Sequence, residues 1–234
     1  MLFRRIAQHV KEQNWTAVCI DFLIVVIGVF VGIQVSNWNN AQFEYRAERA
    51  LQDNILADMI ELETEFNAII GRYSETMAAS EELLPLLRSG IPPSDPDRIK
   101  YLVWRVGYYH DFPAIPSSYT ELVSAGGLSR LSSTELRRAL IDFGDHYSRF
   151  ERHAQVAKAA LLDPKSAHAA ATEYSASPAD WAASDTAIVG YDWKKLVVAA
   201  SELQVWQAHQ SEAAQSAKDI HVAILRILSE LEDR

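Results

Sequence analysis

Two hydrophobic patterns meet in this chain. From Cys19 to Val35 apolar residues follow one another almost without interruption; from Ile55 onward they recur at steps of three and four. Trp15 and Trp38 bracket 22 residues, of which Asp21 alone is charged. At 1.5 Å rise per residue that stretch spans about 33 Å, against roughly 30 Å for a bilayer's hydrocarbon core. Indoles at both ends belong at membrane interfaces, so Trp15 and Trp38 are the expected anchors. Residues 15–38 therefore predict one transmembrane helix. The exit "VSNWNN" lacks the small-x-small pattern of a signal cleavage site, which favours an uncleaved anchor.

After the apolar run, Ile55, Met59, Leu62, Phe66, Ile69 and Tyr73 step as a bundle seam. The first helix of the following part is expected from about Ala41 to Leu84, about 66 Å long, with Pro85 kinking or ending it. Asp95 or Ser94 caps the next helix, Pro96 opens it, and Ile99, Leu102, Val103 and Val106 form its buried face. Ser118 with Glu121, and Ser132 with Glu135, read as capping boxes of two further helices. Gly126 and Gly127 close the first of these. The second carries Leu136, Leu140, Phe143, Tyr147, Phe150, Ala154, Ala157 and Leu161 in heptads and stops at Pro164.

Residues 164–191 are rich in Ala, Ser and Thr and read as a flexible connection with one short helix near Pro178. A last helix is expected without a break from Asp192 to Leu231, with Gln210 as the one polar layer in its seam. No strand-like alternation stands out. The pattern as a whole predicts an all-α protein: a short tail (1–14), a transmembrane helix (15–38) and an elongated antiparallel helical bundle (39–234).

Charge orients this arrangement. Arg4, Arg5 and Lys11 precede the apolar run, whereas Arg46 and Arg49 beyond it are diluted by Glu44, Glu48, Asp53 and Asp58. The positive-inside rule then places the N-terminus in the cytoplasm and the bundle outside. Phe3, Ile6 and Val10 would share one face of a short interfacial helix. The net charge is −9, and without Arg4, Arg5, Lys11, Glu12 and Asp21 the remainder is more acidic still. No basic stripe is present, so a nucleic-acid partner is not expected. The single cysteine, Cys19, excludes an intramolecular disulfide and a cysteine zinc site.

Asp21 is the costly residue, since a carboxylate near mid-membrane costs about 2.5–3.5 kcal/mol on insertion scales. At 100° per residue, Val25, Gly28 and Gly32 fall within about 40° of it. Gly28 and Gly32 form a small-xxx-small pair that admits a second helix closely. The stripe predicts a packing face for another membrane helix, in a second copy or a polytopic subunit.

Chemistry is sparse elsewhere. No nucleotide-binding glycine loop, HExxH, GxSxG or cysteine cluster is present, and no cofactor or enzymatic activity is expected. Asp142, His146 and His153 lie along one side of a helix and are weak metal candidates; beside an apolar seam they read better as flanking polar residues. Glu202 and His209 read the same way. Tyr108, Tyr109, His110 and Phe112, between prolines, form a candidate loop for a protein partner or a cover for the bundle end.

Asp21 followed by "FLIVVIGVFVGIQVSNWN", with Gln34, Asn37, Trp38 and Asn39, and then "SYTELVSAGGLSRLSSTELRRAL" from Ser118, resemble an uncharacterised family of bacterial single-pass membrane proteins. The resemblance implies a bacterial inner-membrane protein with no known activity. The segment "IDFLIVVIGVF" alone is similar to that of proton-driven stator subunits, which implies a proton-carrying role for Asp21, although the heptad helices here depart from the strands expected of their exported part. The leading expectation is a non-enzymatic membrane-anchored assembly or accessory protein. The alternatives are a proton-coupled stator-like or channel accessory subunit and a periplasmic sensor module acting through a partner.

Overall fold

The computed structural model describes residues 15–182 and 184–232. The expected interfacial face of Phe3, Ile6 and Val10 lies outside them, as do Arg4, Arg5 and Lys11. Helices dominate, as an all-α protein requires. Two compact units are formed, Met1–Leu51 and Gln52–Arg234.

The first helix, α1, runs from Trp15 to Ser89. Within the first unit its side chains from Cys19 to Ala47 are all exposed. This is one helix long and apolar enough to cross a membrane. In the second unit the same helix carries the expected seam, with Ile55, Met59, Leu62, Phe66, Ile69 and Tyr73 all buried.

Pro85 does not end α1. A proline removes one helical hydrogen bond, here to the carbonyl of Glu81, and both residues face solvent, where water replaces the lost donor. The stop comes at Gly90, whose φ of +69° is left-handed and whose N–H reaches the Leu87 carbonyl at 3.1 Å.

Helix α2 (Pro96–Gly107) is capped by Asp95, whose carboxylate accepts from the Arg98 N–H at 3.0 Å. It buries Ile99, Leu102, Val103 and Val106 as its spacing requires, and also Arg105, which pairs with Glu75 and donates to the Arg72 carbonyl at 3.3 Å. Helix α3 (Ser117–Ser124) lacks the expected capping box: Pro116 occupies the cap, and the Ser118 N–H faces Asp58 Oδ2 at 3.4 Å. Gly126, at φ +65°, turns the chain into a 3-10 turn, Gly127–Arg130. Helix α4 (Thr134–Leu161) is capped by Ser133, one residue later than expected, through a 3.1 Å bond from the Leu136 N–H.

Residues 164–191 hold more structure than one short helix. Helix α5 (Ala167–Ala171) leads into strand β1 (Thr172–Tyr174), a 3-10 turn (Pro178–Ala182), the single turn α6 (Ser184–Ala187) and strand β2 (Ile188–Tyr191). β1 and β2 pair antiparallel, Thr172 opposite Tyr191 and Glu173 opposite Gly190. Strands of three and four residues are too short to display an alternation in the sequence, and the small two-stranded ladder they form leaves the fold class all-α. The last helix is also divided. Helix α7 (Trp193–Val198), capped by Asp192, turns at Ala199 before α8 (Ala200–Glu232).

The seam survives that turn, since Leu196, Ala199, Leu203, Trp206, Gln210, Ala213, Ala217, Ile220, Ile224, Ile227 and Leu231 are all buried. Helices α4 and α8 run antiparallel: Asp142 meets Arg226 at 3.0 Å, and further along α4 His153 meets Ser216, earlier in α8. The α1 seam is antiparallel to α8 in the same way, with Glu63 beside His221 and Arg88 beside Gln204. Where α1, α2, α5, α7 and α8 converge, a core cluster gathers Leu83, Leu87, Leu102, Val106, Leu196 and Trp206.

Candidate functional site

The stripe predicted as a packing face lies in the first unit. Asp21 and Val25 are exposed, and a methyl added at Gly28 or Gly32 would meet nothing within 4 Å. Trp38 is exposed as well; the side chain of Trp15 lies outside the described residues, although its backbone opens α1. The helical period brings Asp21, Val25, Gly28 and Gly32 onto one side, as their spacing predicts.

In the second unit the residues of the candidate partner loop divide. His110 turns inward, 4% exposed, with its ring edge-on to Tyr73 at 5.2 Å and Nε2 3.0 Å from Thr76 Oγ1. The Thr76 hydroxyl also lies within hydrogen-bond distance of the Arg72 carbonyl, at 3.1 Å. Burial pushes the His110 pKa down to about 4, helped by the Arg105 and Arg72 charges. Phe112 also packs inward, its ring 5.4 Å from Phe150 in an edge contact. Tyr108 and Tyr109 instead line a cavity.

That cavity, open to one side, has a volume of about 600 Å³ and was not foreseen. Tyr108 and Trp104 form one wall and Tyr174 and Trp181 another, while Tyr109 and Asp163 also border the space. The indole N–H of Trp104 donates to the Trp181 carbonyl at 3.2 Å, and that of Trp181 to the Ser175 carbonyl at 2.8 Å. Both indoles thus spend their polar atoms on backbone. The Trp104 and Tyr108 rings lie 5.0 Å apart, and those of Tyr174 and Trp181 5.8 Å.

His168 also borders the cavity, at 3% exposure, and its Nε2 has no hydrogen-bond partner. Burial lowers its pKa, against the Val103 carbonyl and the Glu202 carboxylate, which pull the other way. Gly107 lets this ring approach: a methyl there would lie 2.9 Å from His168 Cε1. Burial also pushes the Tyr174 phenol up to about 12.

Glu202, expected as a solvated flank, serves this region. Its carboxylate accepts from the Ala167 N–H at 2.8 Å and the His168 N–H at 3.3 Å, so it holds the start of α5. Gln210 has a comparable task, donating to the Val106 carbonyl at 3.0 Å in the last turn of α2. Sequence reasoning missed Trp104, Asp163, His168, Tyr174 and Trp181 as a group. The available signal was two large aromatics, Tyr174 and Trp181, inside a stretch rich in Ala, Ser and Thr.

The weak metal candidates are not brought together. Asp142 bonds Arg226, His153 Nδ1 lies 2.8 Å from Ser216 Oγ, and His146 Nδ1 is unpartnered on its own. Among the described residues no group of three or more His, Cys, Asp or Glu side chains is placed to hold a metal ion. His209 sits 3.9 Å from Glu212, one turn along α8.

No curated protein and no solved structure matches this chain significantly. A family model does match, over residues 21–172. The match opens on Asp21 and takes in α2, α3, α4 and His168, while Tyr174 and Trp181 lie beyond it. The expectation of an uncharacterised family is met at that level: this chain belongs to DUF6090, a family of unknown function.

Proposed function

We infer that this protein is a single-pass membrane protein with an assembly or accessory role, whose apolar helix packs on a second membrane helix through Asp21, Val25, Gly28 and Gly32. The N-terminus is cytoplasmic and the helical unit is presented on the periplasmic side of a bacterial inner membrane. One observation carries this reading. A carboxylate and two glycines share one side of a helix whose apolar side chains are exposed throughout, Ile20 to Val35.

Two physical arguments support it. Apolar area left in water costs about 25 cal/mol per Å², so a run of this length belongs in lipid. Lipid in turn offers nothing to a carboxylate, so the side bearing Asp21 belongs against protein or water. The two glycines leave the backbone bare on that same side, which is where a second helix gains most from close approach.

The test is native mass spectrometry on the full-length protein in mild nonionic detergent. The expected result is a complex heavier than one 26.3 kDa chain, reduced to the single chain by Gly28→Leu combined with Gly32→Leu while the circular dichroism of the helical unit is unchanged. A wild-type protein that is always a lone chain, or a variant of unaltered mass, overturns the reading.

A further inference from the structure

We propose that the cavity between α2 and the 164–191 segment binds a small organic cation of the quaternary ammonium class, independently of how the membrane helix assembles. Five aromatic side chains, Trp104, Tyr108, Tyr109, Tyr174 and Trp181, face a space of about 600 Å³, a usual size for a small-molecule site. Because both indole N–H groups are bonded to backbone carbonyls, the tryptophans have only their ring faces and edges left for a ligand. Electron-rich faces attract a cation, most strongly one without a tight hydration shell.

The charges lining the space agree. Asp163 is the one acidic side chain among the described lining residues, and no Lys or Arg is among them. Its carboxylate is fixed by the Lys165 N–H at 2.9 Å, in a turn that the Ser166 N–H closes on the Asp163 carbonyl at 3.1 Å. The imidazole of His168, buried beside Gly107, is neutral and contributes no opposing charge.

The chain also shows the chemistry at the edge of this space. The Lys158 ammonium lies over the Tyr109 ring, 4.4 Å from its centroid, and Arg105 lies 5.8 Å from the centre of the Trp104 ring. Both cations thus already rest against rings that line the space. A neutral apolar ligand of the same shape would fill the volume equally well, but it would gain nothing from Asp163 or from the ring quadrupoles. That difference separates cation recognition from simple filling of an apolar hollow.

The experiment titrates full-length protein in nonionic detergent with choline chloride, tetramethylammonium chloride and the neutral choline isostere 3,3-dimethylbutan-1-ol, read by tryptophan fluorescence and calorimetry. Saturable choline binding is expected, at least about tenfold tighter than the neutral isostere. Trp181→Leu should weaken it about tenfold and Trp181→Phe much less. Asp163→Asn, which keeps the acceptor for the Lys165 N–H, should weaken choline several-fold and leave the isostere unchanged. Lys158→Met should tighten choline binding by freeing a face of Tyr109. Equal affinity for choline and its isostere, or no saturable binding of either cation in a protein whose thermal midpoint is normal, overturns the proposal.

Discussion

Residues 20–35 and residues 55–87 belong to the same helix and are both rich in large apolar side chains, yet they do opposite things with them. In the first stretch Phe22, Phe30 and Ile33 are all more than half exposed. In the second Ile55, Met59, Phe66, Leu83 and Leu87 are wholly buried. The difference is period. Apolar residues on every side of a helix cannot all reach a neighbouring helix, whereas a stripe at three- and four-residue steps can. The amount of hydrophobic residue says little about where a helix belongs; its arrangement around the axis says nearly everything.

The sharpest way to break this comparison is to truncate one phenylalanine in each stretch. Phe66→Ala removes a fully buried ring in edge contact with Phe150 at 5.3 Å and should cost about 3–5 kcal/mol in chemical denaturation of the helical unit. Phe30→Ala, at an exposed position, should leave that transition where it was. Equal losses from the two would dissolve the distinction.

Acid probes the packed stretch by itself. His110 is buried neutral against Tyr73 and Thr76 with Arg72 and Arg105 nearby, and its pKa falls from 6.5 to about 4. The unfolded chain therefore binds the extra proton first as pH drops. The stability contributed by the neutral imidazole is complete above pH 6.5 and is lost as pH falls toward 4, by roughly 3 kcal/mol. His168, whose pKa burial also lowers, acts in the same direction. Midpoints measured between pH 8 and pH 4 should show the slope, and His110→Gln should flatten it.

The smallest expected effect contrasts two glycines. A methyl at Gly144 would overlap the Tyr119 hydroxyl, so Gly144→Ala should cost about 1–3 kcal/mol. Gly28→Ala meets nothing and should leave the helical unit's melting curve unmoved. A neutral Gly144→Ala would mean that the Tyr119 ring yields without loss.

The seams of α1, α4 and α8 were legible because a heptad repeats the same message many times, and a single polar intruder such as Gln210 does not erase it. Caps were legible only to within a residue: Ser132 and Ser133 are equally good acceptors, and only Ser133 lies in position to accept from Leu136. Pro85 left open whether the helix would kink or end there, because its cost depends on whether the abandoned carbonyl is buried, which the sequence does not state. The cavity was not legible at all. Its walls come from α2 and from a segment more than fifty residues further on, and short strands joined by alanines and serines leave no periodic trace. The paired role of Glu202, which holds a helix start 35 residues earlier in the chain, is hidden for the same reason.

Helix α8 runs antiparallel to both α1 and α4 and bonds the last turn of α2 through Gln210. The order of synthesis gives this a consequence in time. A ribosome makes α1, α2 and α4 with their apolar faces complete, and the helix that covers them comes last. Until residues 200–232 emerge, Phe66 and Phe150 have only each other and their nearer neighbours for shelter. Contacts so distant along the chain slow folding and lengthen the interval in which sticky surface is open. The nascent protein thus has a waiting period set by its own topology, during which a chaperone has the most to do.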